Sequence, residues 1–309
     1  MKYKEWLSIW LENYVKPTSK VKTYAMYTQI VEKRLKPQMG DFDVNEISPV
    51  KLQFYISELL RRGNVITGEG LSANTVNGII TVIQNSLKIA FAIGEVEKYI
   101  ADKIRRPKTC EKKVSCFTIA EQKKIEQAVL ADKRQKMSGI ILCLYTGLRI
   151  GELLALTWKD IDFVGGALSV NKTKHDGKGE DGRFCGIVGM PKTQSSSRNI
   201  PIPKQLIPML QKLKNNSNSG YVISDKGRGV SVRVYQRNFS KLLERLKISH
   251  KGFHALRHTF ATRALECGMD VKTLSEILGH KNATVTLNRY VHSMSEYKKE
   301  MMNKLGKLF

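Results

Sequence analysis

The chain has 309 residues, 41% of them hydrophobic, which is enough for about two domains with real cores. Its 52 lysines and arginines against 28 aspartates and glutamates give a formal net charge of +24, an excess that argues against an ordinary enzyme of small metabolites and indicates a polyanionic partner, most often nucleic acid. The excess is uneven: residues 1–106 carry 16 basic and 11 acidic side chains, net +5, whereas residues 107–309 carry 36 and 17, net +19, so we expect the second part to make most of the phosphate contacts.

The first hundred residues predict a helical domain, which we place at residues 1–106. Apolar side chains recur there at three- and four-residue spacing, and helix stops such as Gly63 and Gly94 separate the segments. The predicted helices are EWLSIWLENYV, TYAMYTQIVEKRLKP, PVKLQFYISELLRRG and SANTVNGIITVIQNSLKIAFAIG. We interpret their aromatic side chains, such as Trp6 and Trp10, as core residues rather than as a surface on which bases stack.

A basic, proline-containing stretch without periodicity follows, IRRPKTCEKKVS at residues 104–115. These features are typical of a linker, and we place the basic interdomain linker at residues 107–116. A basic linker between two basic domains is expected to pass along a DNA backbone.

Residues 117–309 predict a second domain in which helices surround a few strands. The helix FTIAEQKKIEQAVL has a capping box formed by Thr118 and Glu121, and KMSGIILCLYTGLRIGELLAL is helical around a turn at Gly147. Strands are predicted at Phe163-Val164, at Leu168 to Val170 and at SSRNIPIP, and the chain is helical again from Tyr235. The predicted fold class is therefore mainly α with a small β-sheet, in two domains.

A glycine-rich stretch, TKHDGKGEDGRFCGIVGMP at residues 173–191, separates Lys172 from Lys192. It is longer than a simple hairpin turn, and we interpret it as an insertion that contacts DNA or a neighbouring protomer. Because Lys172, Lys174 and Lys178 also lie in this part of the sequence, the stretch leaves open which lysine takes a functional position.

Four separated clusters carry side chains that suit one chemistry. They hold Arg149 with Glu152, Lys192, His254 with Arg257 and His258, and His280 with Tyr290. Transfer of a phosphodiester needs a nucleophile, cations that stabilise charge on the phosphate and a proton donor for the leaving oxygen. Arginine suits the second task because its planar fork is always charged and binds two oxygens at once.

Each residue also has a purely structural interpretation when it is taken alone. Arg149 is compatible with a surface position and His280 with a cation at a helix end. His254 and His258 have the spacing of a zinc pair on a helix, but Ala255 stands where an HExxH motif has its glutamate. The five cysteines form no CxxC pair, so neither a metal site nor a disulfide framework is predicted.

The blocks TGLRIGELLAL, PKTQSSSRNIPI, HALRHTFAT and LGH followed by RY occur in an order that resembles the tyrosine site-specific recombinases, the phage-integrase family. The resemblance covers residues 117 to about 295, and the first hundred residues more loosely resemble that family's helical core-binding domain. It implies a helical core-binding domain followed by an α+β catalytic domain at residues 117–309 with a C-terminal tail helix. It also implies a DNA strand-transferase that cleaves and rejoins strands through a 3′-phosphotyrosyl intermediate and integrates and excises a mobile element.

The resemblance gives the nucleophile and the cations their roles. Arg149 and Arg257 match the two arginines that clamp the non-bridging phosphate oxygens, and Tyr290 matches the nucleophile. Lys192 matches the β-hairpin lysine that acts as the acid for the leaving 5′-oxygen.

The remaining residues are assigned in the same way. His254 and His280 match the family's two histidines, whose ordinary pKa of roughly 6.5 allows proton exchange near neutrality. Glu152, one turn after Arg149, is expected to orient its guanidinium, and His258 is expected to support the site. No cofactor and no metal are implied.

The implied partner is double-stranded DNA at specific recombination sites, bound by a homotetramer and assisted by accessory DNA-bending or excision factors. The N-terminus MKYKEWLSIW lacks a signal-peptide core, and the most apolar run, GIILCLYTGL, has about half the length of a membrane span. We therefore expect a cytoplasmic, nucleoid-associated protein with no membrane partner. Because the core-binding helices begin near residue 1, we expect the arm-site module that many integrases carry to be missing from this sequence.

Other functions with related chemistry stay open at this point. A type IB topoisomerase shares the nucleophile and the clamp but acts as a monomer, and a Xer-type resolvase separates chromosome dimers. A DNA-binding regulator that keeps the fold without catalysis is disfavoured, because all the catalytic residue types are present. The tail SMSEYKKEMMNKLGKLF favours a recombinase, because Met294, Tyr297, Met301 and Leu305 form the apolar face of a helix too short to be stable alone. We expect this tail to dock on another protomer.

Overall fold

The computed structural model describes most of the chain as two compact units. The described residues are 1–64, 66–109, 115–132, 134–178, 184–189, 197–280, 282–290, 302–303 and 305–306, with the backbone alone at 178, 184–185 and 288–290. One unit comprises Met1–Lys112 and the other Lys113–Phe309. Within the described ranges, no helix combines the length and the apolar character that crossing a membrane requires.

The first unit is helical, as the spacing of its apolar residues predicts. Its helices are α1 (Tyr3–Trp10), α2 (Val21–Ile30), α3 (Lys36–Met39), α4 (Pro49–Arg62) and α5 (Ala73–Ala92). Helices α1 and α2 each continue into a π-helical turn, Leu11–Val15 and Val31–Leu35. The hydroxyl groups of Ser48 and Ser72 cap α4 and α5 by accepting hydrogen bonds from backbone N–H groups three residues on.

Aromatic side chains of α1 form the core of this unit together with α5. Trp6 and Trp10 are each 1% exposed, which confirms that they are core residues. The Trp6 indole donates to the carbonyl oxygen of Ser86 at 3.1 Å, and the Ser86 hydroxyl lies 2.9 Å from that of Tyr3. These bonds satisfy polar atoms that burial would otherwise leave unpaired, and they fix α1 against α5.

The beginning of the basic stretch packs on the same unit. Ile104 is buried in its core. The Arg106 guanidinium donates to the side chain of Gln84 at 2.5 Å and to the carbonyl oxygen of Asn77 at 3.3 Å, and the Asn77 amide donates to the carbonyl oxygen of Pro107 at 3.1 Å. Residues 104–107 are thus fixed to helix α5.

The second unit is also mainly helical, with small antiparallel sheets. Its helices are α6 (Ile119–Leu130), α7 (Gly139–Thr146), α8 (Ile150–Ala155), α9 (Ile207–Asn215), α10 (Val232–Arg245), α11 (His254–Glu266), α12 (Val271–Leu278) and α13 (Ala283–Tyr290). Its strands are β1 (Ile161–Asp162), β2 (Ala167–Val170), β3 (Thr173–Lys178), β4 (Phe184–Gly189), β5 (Arg198–Pro201), β6 (Ser224–Asp225) and β7 (Arg228–Gly229). Strand order β1-β2-β5 defines one sheet, and β3-β4 and β6-β7 are separate pairs. The predicted fold class is confirmed.

The strand predicted at Phe163-Val164 is wrong, because β1 ends just before it. The Asp162 carboxylate accepts hydrogen bonds from the backbone N–H groups of Val164 and Gly165 at 3.0 and 2.8 Å. Gly166 completes the turn with a φ of +63°. An aspartate that closes its own turn here outweighs the preference of the two following side chains for an extended backbone.

The glycine-rich stretch after β2 contains a regular hairpin that is anchored to the unit at two points. Strands β3 and β4 pair antiparallel over their six-residue length. The Asp176 carboxylate accepts hydrogen bonds from the first N–H groups of α10, those of Val232 and Arg233, at 3.0 and 2.8 Å. Lys174 is buried, with its Nζ 5.2 Å from the ring centroid of Tyr221. These contacts give the hairpin a fixed base.

Helix α11 runs through the second unit and gathers the elements that form the site. The Thr259 hydroxyl accepts a hydrogen bond from the backbone N–H of Phe117, which ties the start of the unit to α11. Gly147, the left-handed residue that ends α7, packs so tightly that a Cβ atom there would lie 2.5 Å from the Phe260 ring and 2.9 Å from Leu278. The ends of α7 and α12 therefore meet against α11.

Candidate functional site

Three arginines converge on the carbonyl groups that end helix α12. The donor and acceptor pairs are Arg198 Nε with Ile277 at 2.5 Å, Arg257 Nη2 with Leu278 at 2.6 Å and Arg149 Nη2 with Gly279 at 3.3 Å. The last carbonyl groups of a helix have no partner within it and carry the negative end of its dipole, so guanidinium groups are suited to that position. Three segments far apart in sequence are joined around this turn.

Arg257 is the most deeply buried cation of the group. It lies in the first turn of α11, only 2% exposed. Its Nη1 donates to the carbonyl oxygen of Gly147 at 2.8 Å, and its Nη2 donates to that of Leu278. A buried charge is costly unless hydrogen bonds surround it, and these two carbonyl oxygens fix the plane of the guanidinium.

Arg149 and Glu152 form the pair that the sequence predicts. Arg149 is the residue before α8, and Glu152 reaches back to accept a hydrogen bond from its backbone N–H at 2.9 Å and from its Nη1 at 2.8 Å. The Arg149 side chain is 36% exposed, whereas that of Glu152 is 6% exposed. Glu152 therefore orients a guanidinium that still reaches solvent, and its predicted contact with Arg149 is present.

Arg198 is a member of this cluster that the sequence analysis missed. It lies at the start of β5, and its two Nη atoms donate to the Glu152 carboxylate at 3.2 and 2.9 Å. Both side chains are almost fully buried. Alternation along β5 was a usable signal, because Arg198 and the buried Ile200 are two residues apart and share one face of the strand.

The Glu152 carboxylate stays ionised at the centre of this network. Burial alone raises the pKa of a carboxyl group, but the hydrogen bonds and charge of Arg198, together with the charge of Arg149, hold the pKa of Glu152 below its ordinary value. The two guanidinium groups are thus fixed by one shared anion. Because Glu152 neutralises only one of the three arginine charges, the cluster keeps a net positive charge.

His280 follows the same turn and contacts two of its neighbours. Gly279 ends α12 with a φ of +63°, which turns the chain so that His280 comes next to Arg257. The His280 Nε2 lies 3.0 Å from Arg257 Nη2, and its Nδ1 lies 2.7 Å from the hydroxyl of Thr286 in α13. His280 therefore links the arginine cluster to the helix that carries Tyr290.

His254 and His258 are neighbours on α11, one turn apart. Their ring centroids are 4.5 Å apart, and the rings meet edge to face. His254 is exposed at the start of the helix and His258 is half-buried. Among the described residues, no group of three or more histidine, cysteine or acidic side chains is arranged to hold a metal ion.

Two of the predicted site residues are not placed as side chains. Lys192 lies outside the described residues, and Tyr290 is described by its backbone alone, as the last residue of α13. The competing lysines that are described have other surroundings. Lys172 Nζ forms an ion pair with Asp160 at 3.0 Å, and Lys174 is buried at the base of the hairpin.

Comparison with known proteins identifies the class. Residues 117–296 match the model of the Phage integrase family, and residues 2–60 match that of the phage integrase N-terminal SAM-like domain. The first match covers more than half of the chain. The chain belongs to the phage integrase family of tyrosine recombinases. It is a tyrosine recombinase, an enzyme that cleaves and rejoins DNA strands.

Relatives in bacteria match over nearly the whole chain. The tyrosine recombinase XerC-like protein of Caldanaerobacter subterraneus subsp. tengcongensis is 32% identical over 97% of this chain and 81% of the relative. The ICEBs1 integrase of Bacillus subtilis is 26% identical over 94% of this chain and 79% of the relative.

Solved structures of integrases share the fold. The Tn1549 transposon integrase in complex with a circular intermediate DNA superposes with a TM-score of 0.81 and 23% identity, covering 99% of each chain. The lambda integrase tetramer bound to a Holliday junction gives a TM-score of 0.69 and 22% identity over 92% of this chain and 79% of that one.

Proposed function

We propose that Tyr290 attacks the scissile phosphodiester and forms a 3′-phosphotyrosyl bond, while Arg149 and Arg257 stabilise the charge that develops on the phosphate. The observation that carries this proposal is the convergence of both arginines and His280 on the last turn of α12. Because the tyrosine keeps the phosphoryl group in a covalent bond, the strand is resealed without an external energy source.

The electrostatics of the cluster support a phosphate site. Arg257 is held rigid and buried, whereas Arg149 is partly exposed and anchored by Glu152. Cations that are positioned before the reaction need no reorganisation when charge develops, and removal of one such donor typically costs about 3–4 kcal/mol of transition-state stabilisation. His254, exposed one turn before His258 on the helix that carries Arg257, is the further donor to the phosphate.

Lys192 is the proposed acid for the leaving 5′-oxygen. The assignment is supported by the contacts of the two other candidate lysines that are described. Lys172 forms an ion pair with Asp160, and the buried Lys174 packs against the ring of Tyr221. A lysine that donates a proton to a DNA oxygen needs a mobile, accessible ammonium group. Neither of these two lysines has both properties.

Double-stranded DNA at specific recombination sites is the proposed substrate, bound by a homotetramer. The net charge of +24 supports binding to a polyanion. Assembly is supported by the tetramer in which lambda integrase binds a Holliday junction. Accessory DNA-bending or excision factors belong to the same proposal, in which the enzyme integrates and excises a mobile element inside the cell, at the nucleoid.

The test is covalent trapping on a nicked suicide substrate, in which the released strand diffuses away and the protein stays attached. The unchanged protein is expected to give an SDS-resistant complex, and Tyr290→Phe is expected to bind the same DNA without forming one. Tyr145→Phe is the matched control, because its hydroxyl donates to Glu126, which is not a member of the arginine cluster. A covalent complex with Tyr290→Phe would contradict the assignment of the nucleophile.

A further inference from the structure

The contacts of the His280 ring define which of its nitrogens carries the proton. Nε2 lies 3.0 Å from Nη2 of Arg257, and a guanidinium has donors only. Nε2 must therefore accept this hydrogen bond with its lone pair. In the neutral ring the proton is then on Nδ1, which donates to the hydroxyl oxygen of Thr286 at 2.7 Å.

Thr286 is placed to accept the hydrogen bond of the Nδ1–H that this tautomer carries and so to hold the ring in place. It is fully buried, although the other described side chains of α13 from Ala283 to Leu287 are exposed. A buried threonine hydroxyl normally has a hydrogen-bond partner, and the His280 ring supplies one. The bond fixes the direction of the imidazole and aims Nε2 toward Arg257.

The position of Thr286 in the sequence adds a second property. It lies four residues before Tyr290 in the same helix, and residues four apart lie on the same helix face. The bond between Thr286 and His280 therefore seats the helix that carries the proposed nucleophile against the turn held by the three arginines.

We propose that Thr286 is a positioning residue for strand cleavage: its hydroxyl accepts the hydrogen bond of the His280 Nδ1–H, holds the ring so that the Nε2 lone pair stays on Arg257, and docks α13 in the register that the Tyr290 reaction requires. This inference rests on the proposed function of Tyr290 and His280. It adds a residue that acts through His280 and does not itself touch the DNA.

The first experiment compares cleavage of the nicked suicide substrate by three variants. Thr286→Val has nearly the same shape but no hydroxyl, and it is expected to slow cleavage on the order of 10- to 100-fold, as a misplaced reacting group does. Thr286→Ser retains the hydroxyl and is expected to recover most of the rate. Thr284→Val removes an exposed hydroxyl of α13 that contacts Asn282, the residue just before the helix, and it is expected to cleave at the normal rate.

A cycle of single and double variants separates positioning from a general loss of structure. If Thr286 acts through His280, then Thr286→Val has no further effect on cleavage once His280→Ala is present. Independent, multiplicative losses in the double variant would overturn the proposal. So would a normal cleavage rate of Thr286→Val under conditions where Tyr290→Phe is inactive, a result that leaves the proposed function intact.

Nitrogen NMR of ¹⁵N-histidine-labelled protein reads the tautomer directly. The signal of His280, identified by its loss in His280→Gln, is expected to show a protonated Nδ1 and an unprotonated Nε2 when the ring is neutral. Thr286→Val is expected to change the Nδ1 chemical shift, because the Nδ1–H loses its acceptor, and to leave Nε2 unprotonated opposite Arg257, whereas Thr286→Ser is expected to retain the pattern of the unchanged protein. A protonated Nε2 in the neutral ring of the unchanged protein would refute the proposed role.

Discussion

The guanidinium of Arg198 donates two hydrogen bonds to the carboxylate of Glu152, at 2.9 and 3.2 Å, inside the second unit. Because Glu152 also binds Arg149, the orientation of a proposed phosphate ligand depends on an arginine that is itself almost fully buried. Arg198 is therefore linked to the reaction through one intervening anion.

Replacing Arg198 by methionine is expected to reduce cleavage about 10- to 100-fold while the protein still binds a single DNA site. Without Arg198, the Glu152 charge is balanced by Arg149 alone, which draws that guanidinium away from the phosphate. Unfolding in urea is expected to show a loss of about 1–3 kcal/mol, because a buried carboxylate loses charged donors. Arg228→Met, at an exposed position of β7, is the control. Normal cleavage by Arg198→Met would contradict the link.

The stability of the folded chain is expected to depend on the ionisation of Glu152. Its pKa in the folded state is lowered by Arg198 and Arg149 against the effect of burial, whereas the unfolded chain titrates near the ordinary value of about 4.3. The stabilising contribution is complete above that value and is lost as the pH falls through the lower, folded pKa. Between pH 7 and pH 3, the free energy of unfolding measured in urea is expected to decline less steeply for Glu152→Gln than for the unchanged protein. The same pH dependence in both proteins would contradict the prediction.

Lys192 is testable with a substrate in which sulfur replaces the bridging 5′-oxygen. A thiolate leaves almost without a proton donor, so this DNA is expected to restore much of the cleavage lost in Lys192→Ala. It is not expected to restore cleavage in Arg257→Ala, whose defect is in charge stabilisation. If the sulfur substrate instead restores cleavage by Lys172→Ala or Lys174→Ala, that lysine is the acid and the assignment to Lys192 is wrong.

Deletion of residues 295–309 tests docking of the tail on another protomer. The apolar residues Tyr297, Met301 and Leu305 are too few to stabilise a helix alone and need a partner surface. The truncated protein is expected to bind one DNA site normally but to assemble two sites into one complex poorly, as measured by native gel electrophoresis. Normal synaptic tetramers and a normal recombination rate would show that the tail packs elsewhere.

Local signals in the sequence predict most of the helical framework. The capping box of Thr118 and Glu121 is present as expected, with both of its hydrogen bonds. Gly147 ends α7 in the left-handed conformation that a turn at this glycine implies. These features depend on residues within about one helical turn of each other, so a short stretch of sequence is enough to predict them.

The parts that sequence analysis missed depend on distant contacts. Arg198 meets Glu152 across 46 positions and Ile277 across 79, and neither separation leaves a periodic trace. Alternation with Ile200 along β5 could have indicated that Arg198 faces inward, but it does not identify the groups that Arg198 contacts. The turn at Phe163 was missed for a different reason, since one aspartate side chain overrode the β propensity of the residues after it.

The hydrogen bonds of three arginines to the end of α12 affect which substitutions this enzyme tolerates during evolution. The acceptors are main-chain carbonyl oxygens, which every amino acid carries, so an exchange of the side chain at Ile277 leaves its contact with Arg198 available. A substitution at Ile277 therefore needs no compensating substitution in β5 to preserve the hydrogen bond from Arg198. Searches that infer proximity from paired changes across homologues are expected to overlook the connection.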